Sequence, residues 1–299
     1  MSRYRLSGVT LQTAIPLDAY APRAVGDSDS EVLSLSLGSI DGPMVEEPLN
    51  TIDIDGTPFM SVWRHDRGWR MRFHGLADFE VDIHARDVVA CAIPPATTEV
   101  VAQLFIDRVL PHLLPLHGIP TLHASAVVNR GRALLFVGPP GRGKSTLAAS
   151  LCPPCRWSCD DAAALRRRDD GVWLAPSYPF ARLRRDAIER LGEGHFEVAP
   201  RQLKWRLHRE GAVEPVRVGA IYALEEGAEV EVIPMSRRDA LAELAHHVYR
   251  LDPTDRSRLT TELLDLEVIV SEVPVARLRY PRRFSAFDQI APLLEATGP

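Results

Sequence analysis

Residues 133–147 read ALLFV, then GPPGRGKS, then TL: an apolar run, a glycine-rich turn, and the start of a helix-forming stretch. Gly138-x4-Gly143-Lys144-Ser145 is the full phosphate-loop pattern, and it demands a strand that runs into the loop and a helix that leaves it. That requirement fixes a β-loop-α unit and so a mixed α/β domain. The glycines at 138, 141 and 143 let backbone N–H groups turn inward around anionic oxygens. The helix start adds unpaired N–H groups and the positive end of its dipole. Lys144 is placed to neutralise β/γ oxygens and Ser145 to ligate Mg²⁺. The pattern therefore implies ATP and Mg²⁺, cradled by Gly138, Gly141, Arg142, Gly143, Lys144, Ser145 and Thr146.

The basic residues sharpen this. Of 35 Lys and Arg, 33 are Arg, and the two lysines are Lys144 and Lys204. Arg is a planar fork and Lys a compact point charge, so a site shaped for one does not accept the other. Lys144 belongs to the loop; Lys204, in RQLKWRL, becomes a candidate second phosphate contact, against the plainer reading of a surface lysine.

Asp160 and Asp161 follow in WSCDDAAAL, sixteen residues beyond Lys144. Within a continuing strand such neighbours point to opposite faces, but at a strand end both reach a metal–phosphate site. A kinase needs a carboxylate to accept the hydroxyl proton and usually another to hold Mg²⁺. Other nucleotide users are tested by their own residues. A guanine reader, Asn-Lys-x-Asp, is absent, as is the Leu-Ser-Gly-Gly-Gln signature of transporter ATPases. One rival is present: VGAIYALEEG ends an apolar strand in Glu225-Glu226, as a motor-type ATPase would.

Along the chain, residues 1 to about 95 are β-rich, with short alternating runs divided by Gly, Pro and Asp. Pro94 and Pro95 suggest a boundary, giving a β-rich region over 1–95 and a kinase domain over 96–299. Val100, Val101, Leu104, Phe105 and Val109 share a face at helical spacing. HASAVVNRGRALLFVG predicts two strands around an Asn-Arg-Gly turn. A Ser-x-x-Asp capping box at 236–239 opens a helix, LEVIVSEVPVARLRY predicts one or two strands, and SAFDQIAPLLEA a closing helix. The β-rich region is a candidate to cover the site or grip a peptide by strand addition.

Net charge is −5, which gives no electrostatic reason to expect nucleic acid or an anionic membrane as partner. No apolar run follows the N-terminal arginines and none reaches membrane-span length, so the expected location is the cytoplasm. CPPCRWSC, with Cys152, Cys155 and Cys159, invites a zinc or redox reading. Zinc wants a fourth ligand, and no further Cys or His pair has suitable spacing. Reduced cysteines in a helix-to-strand turn are the expectation.

The stretch LHASAVVNRGRALLFVGPPGRGKSTLAASL…SCDDAAAL resembles the core of the HPr kinase/phosphorylase family. It is more closely similar to the HPr kinase-like proteins of lasso-peptide gene clusters. APSYPFARLRRDAIERLG, KWRL and VPVARLRYPRRF extend the likeness over about residues 121–283, with a weaker echo in YRLSGVTLQTAIPL. The resemblance implies an HPr kinase/PEP carboxykinase-like P-loop core carrying an N-terminal β-rich region. It implies Asp160 as the base facing an acceptor hydroxyl, with Asp161 bonded to His123 and near the metal. On residues alone, His123 is equally a satisfied histidine in an apolar strand. Arg182 and Arg184 are candidates for an anionic group, or a solvated basic face. The glutamate-rich segment and HPr-docking helix of that family are not found, and Cys159 stands before the acidic pair where a small or apolar residue is usual. These departures count against phosphorylase activity and HPr as substrate.

The expected function is transfer of the γ-phosphate of ATP to a serine of a peptide or small protein, with the C-terminal serine of a lasso precursor as the finer form. A small-molecule kinase, a regulatory ATPase using Glu225 and a non-catalytic nucleotide-binding module remain open, as does assembly into a homo-oligomer.

Overall fold

The computed structural model describes residues 1–20, 31–42, 47–191, 196–198, 205–209 and 211–297. It is mixed α/β with several sheets. The chain divides into two compact units, Met1–Ile119 with Arg250–Leu259, and Pro120–Tyr249 with Thr260–Pro299.

In the first unit, β1 (Ser2–Leu6), β2 (Val9–Thr13), β3 (Val32–Leu37), β4 (Asn50–Ile54), β5 (Thr57–His65), β6 (Gly68–Phe73), β7 (Ala77–Asp82) and β8 (Asp87–Ala92) form one sheet. Their order is β1-β2-β3-β8-β7-β6-β5-β4. Aromatic and β-branched residues suit such a pleated, half-buried surface. Phe59, Phe73, Phe79 and Phe105 form a chain of ring contacts with centroids 5.7, 5.6 and 6.4 Å apart. Phe105 follows α1 (Thr98–Leu104), whose first turn is capped by Thr97 Oγ1 accepting from Val100 N. The prolines at 94 and 95 thus lead into a helix that packs within the first unit. A π-helical turn (Phe105–Val109) and α2 (Leu110–Leu113) complete it, and the two units part between Ile119 and Pro120.

The second unit contains β9 (Thr121–Leu122), β10 (Ala124–Asn129), β11 (Arg132–Val137), α3 (Lys144–Ser150), β12 (Arg156–Cys159), β13 (Ala163–Arg168) and β14 (Gly171–Leu174). Then come β15 (Phe180–Leu183), α4 (Arg185–Leu191), β16 (Phe196–Val198), β17 (Trp205–His208), β18 (Val216–Glu226) and β19 (Glu231–Pro234). α5 (Arg237–Ala245), α6 (Arg256–Glu272) from Thr260 onward, β20 (Val275–Tyr280) and α7 (Phe287–Thr297) close it. Among the described residues its main sheet has the order β12-β10-β11-β18-β14-β13-β9, with β20 beside β18 and β19 beyond, and β15-β17-β16 form a small second sheet.

β10 and β11 make a hairpin whose two loop residues, Arg130 (φ 47) and Gly131 (φ 79), are both left-handed. Positive φ at both loop positions matches the twist of the flanking strands. β11 lies parallel to β18, and β18 parallel to β20. Parallel strands need cover on both faces, and alternation along β11 supplies it. Leu134 and Phe136 pack with Leu147 of α3 and with Ile290 and Leu294 of α7. Ala133, Leu135 and Val137 pack with Leu244 of α5 and with Leu266 and Ile269 of α6.

LEVIVSEVPVARLRY is corrected in its first half: residues 266–272 finish α6, and only Val275–Tyr280 is strand. Leu266, Ile269, Val270 and Val273 fall at helical spacing and reach the core together. That packing overrides the strand preference of the Val-Ile-Val run. The capping box stands, with Ser236 Oγ accepting from Asp239 N at 3.2 Å. Among the described residues no helix is long and apolar enough to cross a membrane.

Candidate active site

The glycine loop leaves β11 hard against β18. A Cβ at Gly138 would meet Leu224 Cβ and the Leu224 carbonyl at 3.4 Å, and φ there is +150°. Gly143, the residue before α3, has φ +93°, a conformation glycine adopts without strain. Three contacts clamp the outer wall. The Tyr280 hydroxyl donates to the Arg142 carbonyl at 3.0 Å, Arg282 donates to the Gly141 carbonyl at 3.3 Å, and Arg142 donates to Glu226 at 3.0 Å. Burial pushes the Tyr280 hydroxyl up to about 12, so it remains a donor. Lys144 Nζ lies across the loop on the carbonyls of Gly138 (2.8 Å) and Pro139 (3.4 Å), and Thr146 follows half-buried on α3.

β12 ends at Cys159, and the acidic pair turns away at once. Asp160 is fully buried. Its Oδ1 accepts from Ser145 Oγ (2.7 Å), Ser125 Oγ (2.7 Å) and Asp161 N (3.1 Å), and its Oδ2 from Arg182 N (2.8 Å). An ionised carboxylate offers roughly four lone-pair sites, two on each oxygen, so three donors crowd Oδ1 while Oδ2 keeps one site open. Ser145 spends its proton on Asp160, which leaves the lone pairs of its oxygen for a cation. Asp161 takes φ +61°, and Ala162 N closes on the Asp160 carbonyl at 2.8 Å. This is a γ-turn of the rare, strained hand, and it is what sends the two carboxylates to different partners. The Asp161 carboxylate pairs with the buried guanidinium of Arg182.

His123 does reach Asp161, through the backbone: its Nδ1 lies 3.1 Å from the Asp161 carbonyl and 3.0 Å from the Tyr249 hydroxyl, which donates to the same carbonyl at 3.0 Å. Tyr178 holds the other peptide, donating to the Asp160 carbonyl at 2.7 Å. The arginine pair separates, for Arg182 is sealed inside while Arg184 is exposed. Lys204 lies outside the described residues. Glu225, the rival acid, is 3.3 Å from Arg279 and 3.5 Å from Arg277 on β20.

His247 is a site residue that sequence reasoning missed. It follows α5, and its Nε2 is 3.0 Å from Glu243 Oε1. Burial lowers its pKa, the Glu243 bond opposes this, and the nearby Lys144 charge adds to the lowering. The sequence carries the Glu243-x3-His247 spacing as a signal, but not the pairing of Val248 with Leu122 that brings His247 opposite His123.

All four cysteines are free. Burial, then neighbouring Cys155, pushes the Cys152 thiol up to about 12, and burial beside Asp160 raises Cys159. Raised thiols of this kind are poor nucleophiles at neutral pH. Among the described residues no three His, Cys, Asp or Glu side chains gather to hold a metal. Mg²⁺ with a nucleotide needs no such cage, since phosphates and waters complete its octahedron. The Ser145–Asp160 pair and the glycine cradle fit Mg·ATP.

No protein-family model matches the chain, and no curated protein is similar to it in sequence. Among solved structures, the HPr(Ser) kinase/phosphatase from Coxiella burnetii is similar at 12% identity and a TM-score of 0.34, over 59% of this chain and 94% of that one. A likeness at that level carries no weight, and the functional reading rests on the residues themselves.

Proposed function

We propose that this chain is an ATP- and Mg²⁺-dependent phosphotransferase that delivers the γ-phosphate to a serine hydroxyl of a peptide or small protein. The single observation that carries the reading is the bond from Ser145 Oγ to the buried Asp160 carboxylate, at 2.7 Å. It ties the phosphate loop to an acidic group in the way nucleotide-bound Mg²⁺ requires. Bound Mg²⁺ would offset charge on the β/γ oxygens. Lys144 binds the same oxygens, Ser145 offers its hydroxyl oxygen to the metal, and Asp160 fixes that hydroxyl and supplies the negative charge behind it.

This departs from the roles implied by the family resemblance. Asp160, whose carboxylate accepts from four donors including the Ser145 hydroxyl, suits the metal side better than proton abstraction. Asp161, paired with Arg182, sits on the turn whose carbonyl meets His123 and Tyr249. The ATPase reading loses support because Glu225 is engaged with Arg277 and Arg279 on the neighbouring strand. The finer acceptor, the C-terminal serine of a lasso precursor, follows from the resemblance over residues 121–283.

The test is incubation with Mg·[γ-³²P]ATP and a degenerate library of serine-containing decapeptides, with free serine and water as competing acceptors. Label on peptide, lost in Ser145→Ala, is the expected result. Label on free serine alone would make this a small-molecule kinase, and steady release of inorganic phosphate without any labelled acceptor would sink the kinase reading.

A further inference from the structure

If Asp160 is engaged on the metal side, another group must take the acceptor's proton. The segment after α5 runs antiparallel to β9. His123 N donates to the His247 carbonyl at 2.6 Å, Leu122 bridges Val248, and Tyr249 N donates to the Thr121 carbonyl at 3.0 Å. With a side-chain period of two, this register sets His247 opposite His123 and puts Tyr249 on the same face. That face meets the acidic turn, because the Tyr249 hydroxyl reaches both His123 and the Asp161 carbonyl.

On it, His247 Nε2 faces Glu243 Oε1 at 3.0 Å. A carboxylate only accepts, so Nε2 carries the hydrogen and the lone pair is on Nδ1. Among the described residues no hydrogen bond engages that Nδ1. A carboxylate that fixes one imidazole nitrogen so that the other works as a base is a recurring catalytic arrangement.

We propose that His247, oriented by Glu243, is the general base for the acceptor hydroxyl. This rests on the phosphotransferase reading. The acceptor O–H bond breaks and its proton passes to Nδ1. The freed oxygen pair forms the bond to the γ-phosphorus, while the bond from that phosphorus to the β,γ-bridging oxygen breaks and ADP leaves with the pair. Lys144 binds the γ-phosphate that receives the acceptor oxygen. The charged and titratable groups that bear on His247 are Glu243 and His246 from its own helix end, Tyr249 from its own segment, His123 from the paired segment and the charge of Lys144 in α3.

Two measurements test this. In the free protein, ¹⁵N NMR of the histidines should find His247 neutral at pH 7 with the proton on Nε2, and Glu243→Gln should shift that balance; a proton on Nδ1 overturns the proposal. In the peptide-labelling assay, His247→Gln should hold Mg·ATP within about twofold of wild type and slow transfer about 10²–10⁴-fold. It should also lose the acid limb that wild-type kcat/KM shows below pH 6.5. Imidazole added to His247→Gly should restore part of the rate. Wild-type transfer by His247→Gln overturns the base assignment and leaves the kinase reading standing. If the wild-type protein labels no acceptor, both fall.

Discussion

Two serines donate to one oxygen of Asp160, from opposite sides of the site: Ser125 from β10 and Ser145 from the phosphate loop. Their roles differ although their distances match. Ser145→Ala removes the hydroxyl proposed to ligate Mg²⁺, so titration calorimetry should find nucleotide affinity reduced at least tenfold with Mg²⁺ and little changed with EDTA. Ser125→Ala removes only a buried donor, costing about 1–3 kcal/mol of stability, and should keep the Mg²⁺ dependence. The two arginines separate in the same way. Arg182→Met leaves the Asp161 carboxylate buried without its cation and should cost about 3–5 kcal/mol in denaturant titrations. Arg184→Ala, at an exposed position, should stay within about 0.5 kcal/mol of wild type. Composition treated these arginines as equals; only the fold of β15, which ends at Leu183, turns one in and the next out.

At the scale of elements, local rules were legible and distant ones were not. The strand–loop–helix unit, the hairpin turn at Arg130-Gly131 and the cap at Ser236 each depend on a handful of adjacent residues, and the sequence places them correctly. α6 was missed because its Val-Ile-Val run has strand propensity, and only the core beneath Leu266 and Ile269 decides for helix. Which aspartate meets Ser145 was also hidden: adjacent residues alternate, and a single positive φ at Asp161 sets the outcome. Elements carry electrostatic consequences too. His112 in α2 is half-buried, with Nδ1 donating to the Arg108 carbonyl at 2.6 Å, and the burial of its ring lowers its pKa to about 4. The unfolded chain binds that proton below its ordinary value of 6.5. Stability from neutral His112 is therefore full above pH 6.5 and is lost as pH falls towards 4. Thermal melts between pH 7 and 4 should show a smaller acid loss in His112→Asn; an identical loss in both proteins would rule His112 out as its source.

For the whole molecule, the site residues described lie in the second compact unit alone. Mg·ATP at a hundred times its Kd should stabilise that unit by about 2.7 kcal/mol. Amide exchange should slow around β11, α3 and β18, while β5 to β8 of the first unit keep their rates.

The clamp of Tyr280 on the loop also sets a clock for biosynthesis. The loop is made at residues 138–143, its parallel neighbour β18 is finished at Glu226, and the tyrosine that holds Arg142 arrives at position 280. At about 5–20 residues per second, the glycine segment waits roughly 7–28 s in the nascent chain before its wall is complete. Ribosome-stalled chains that have extruded residue 226 but not 280 should present this loop to proteases even with nucleotide added. Protection by nucleotide then reports that the strand bearing Tyr280 has emerged and docked.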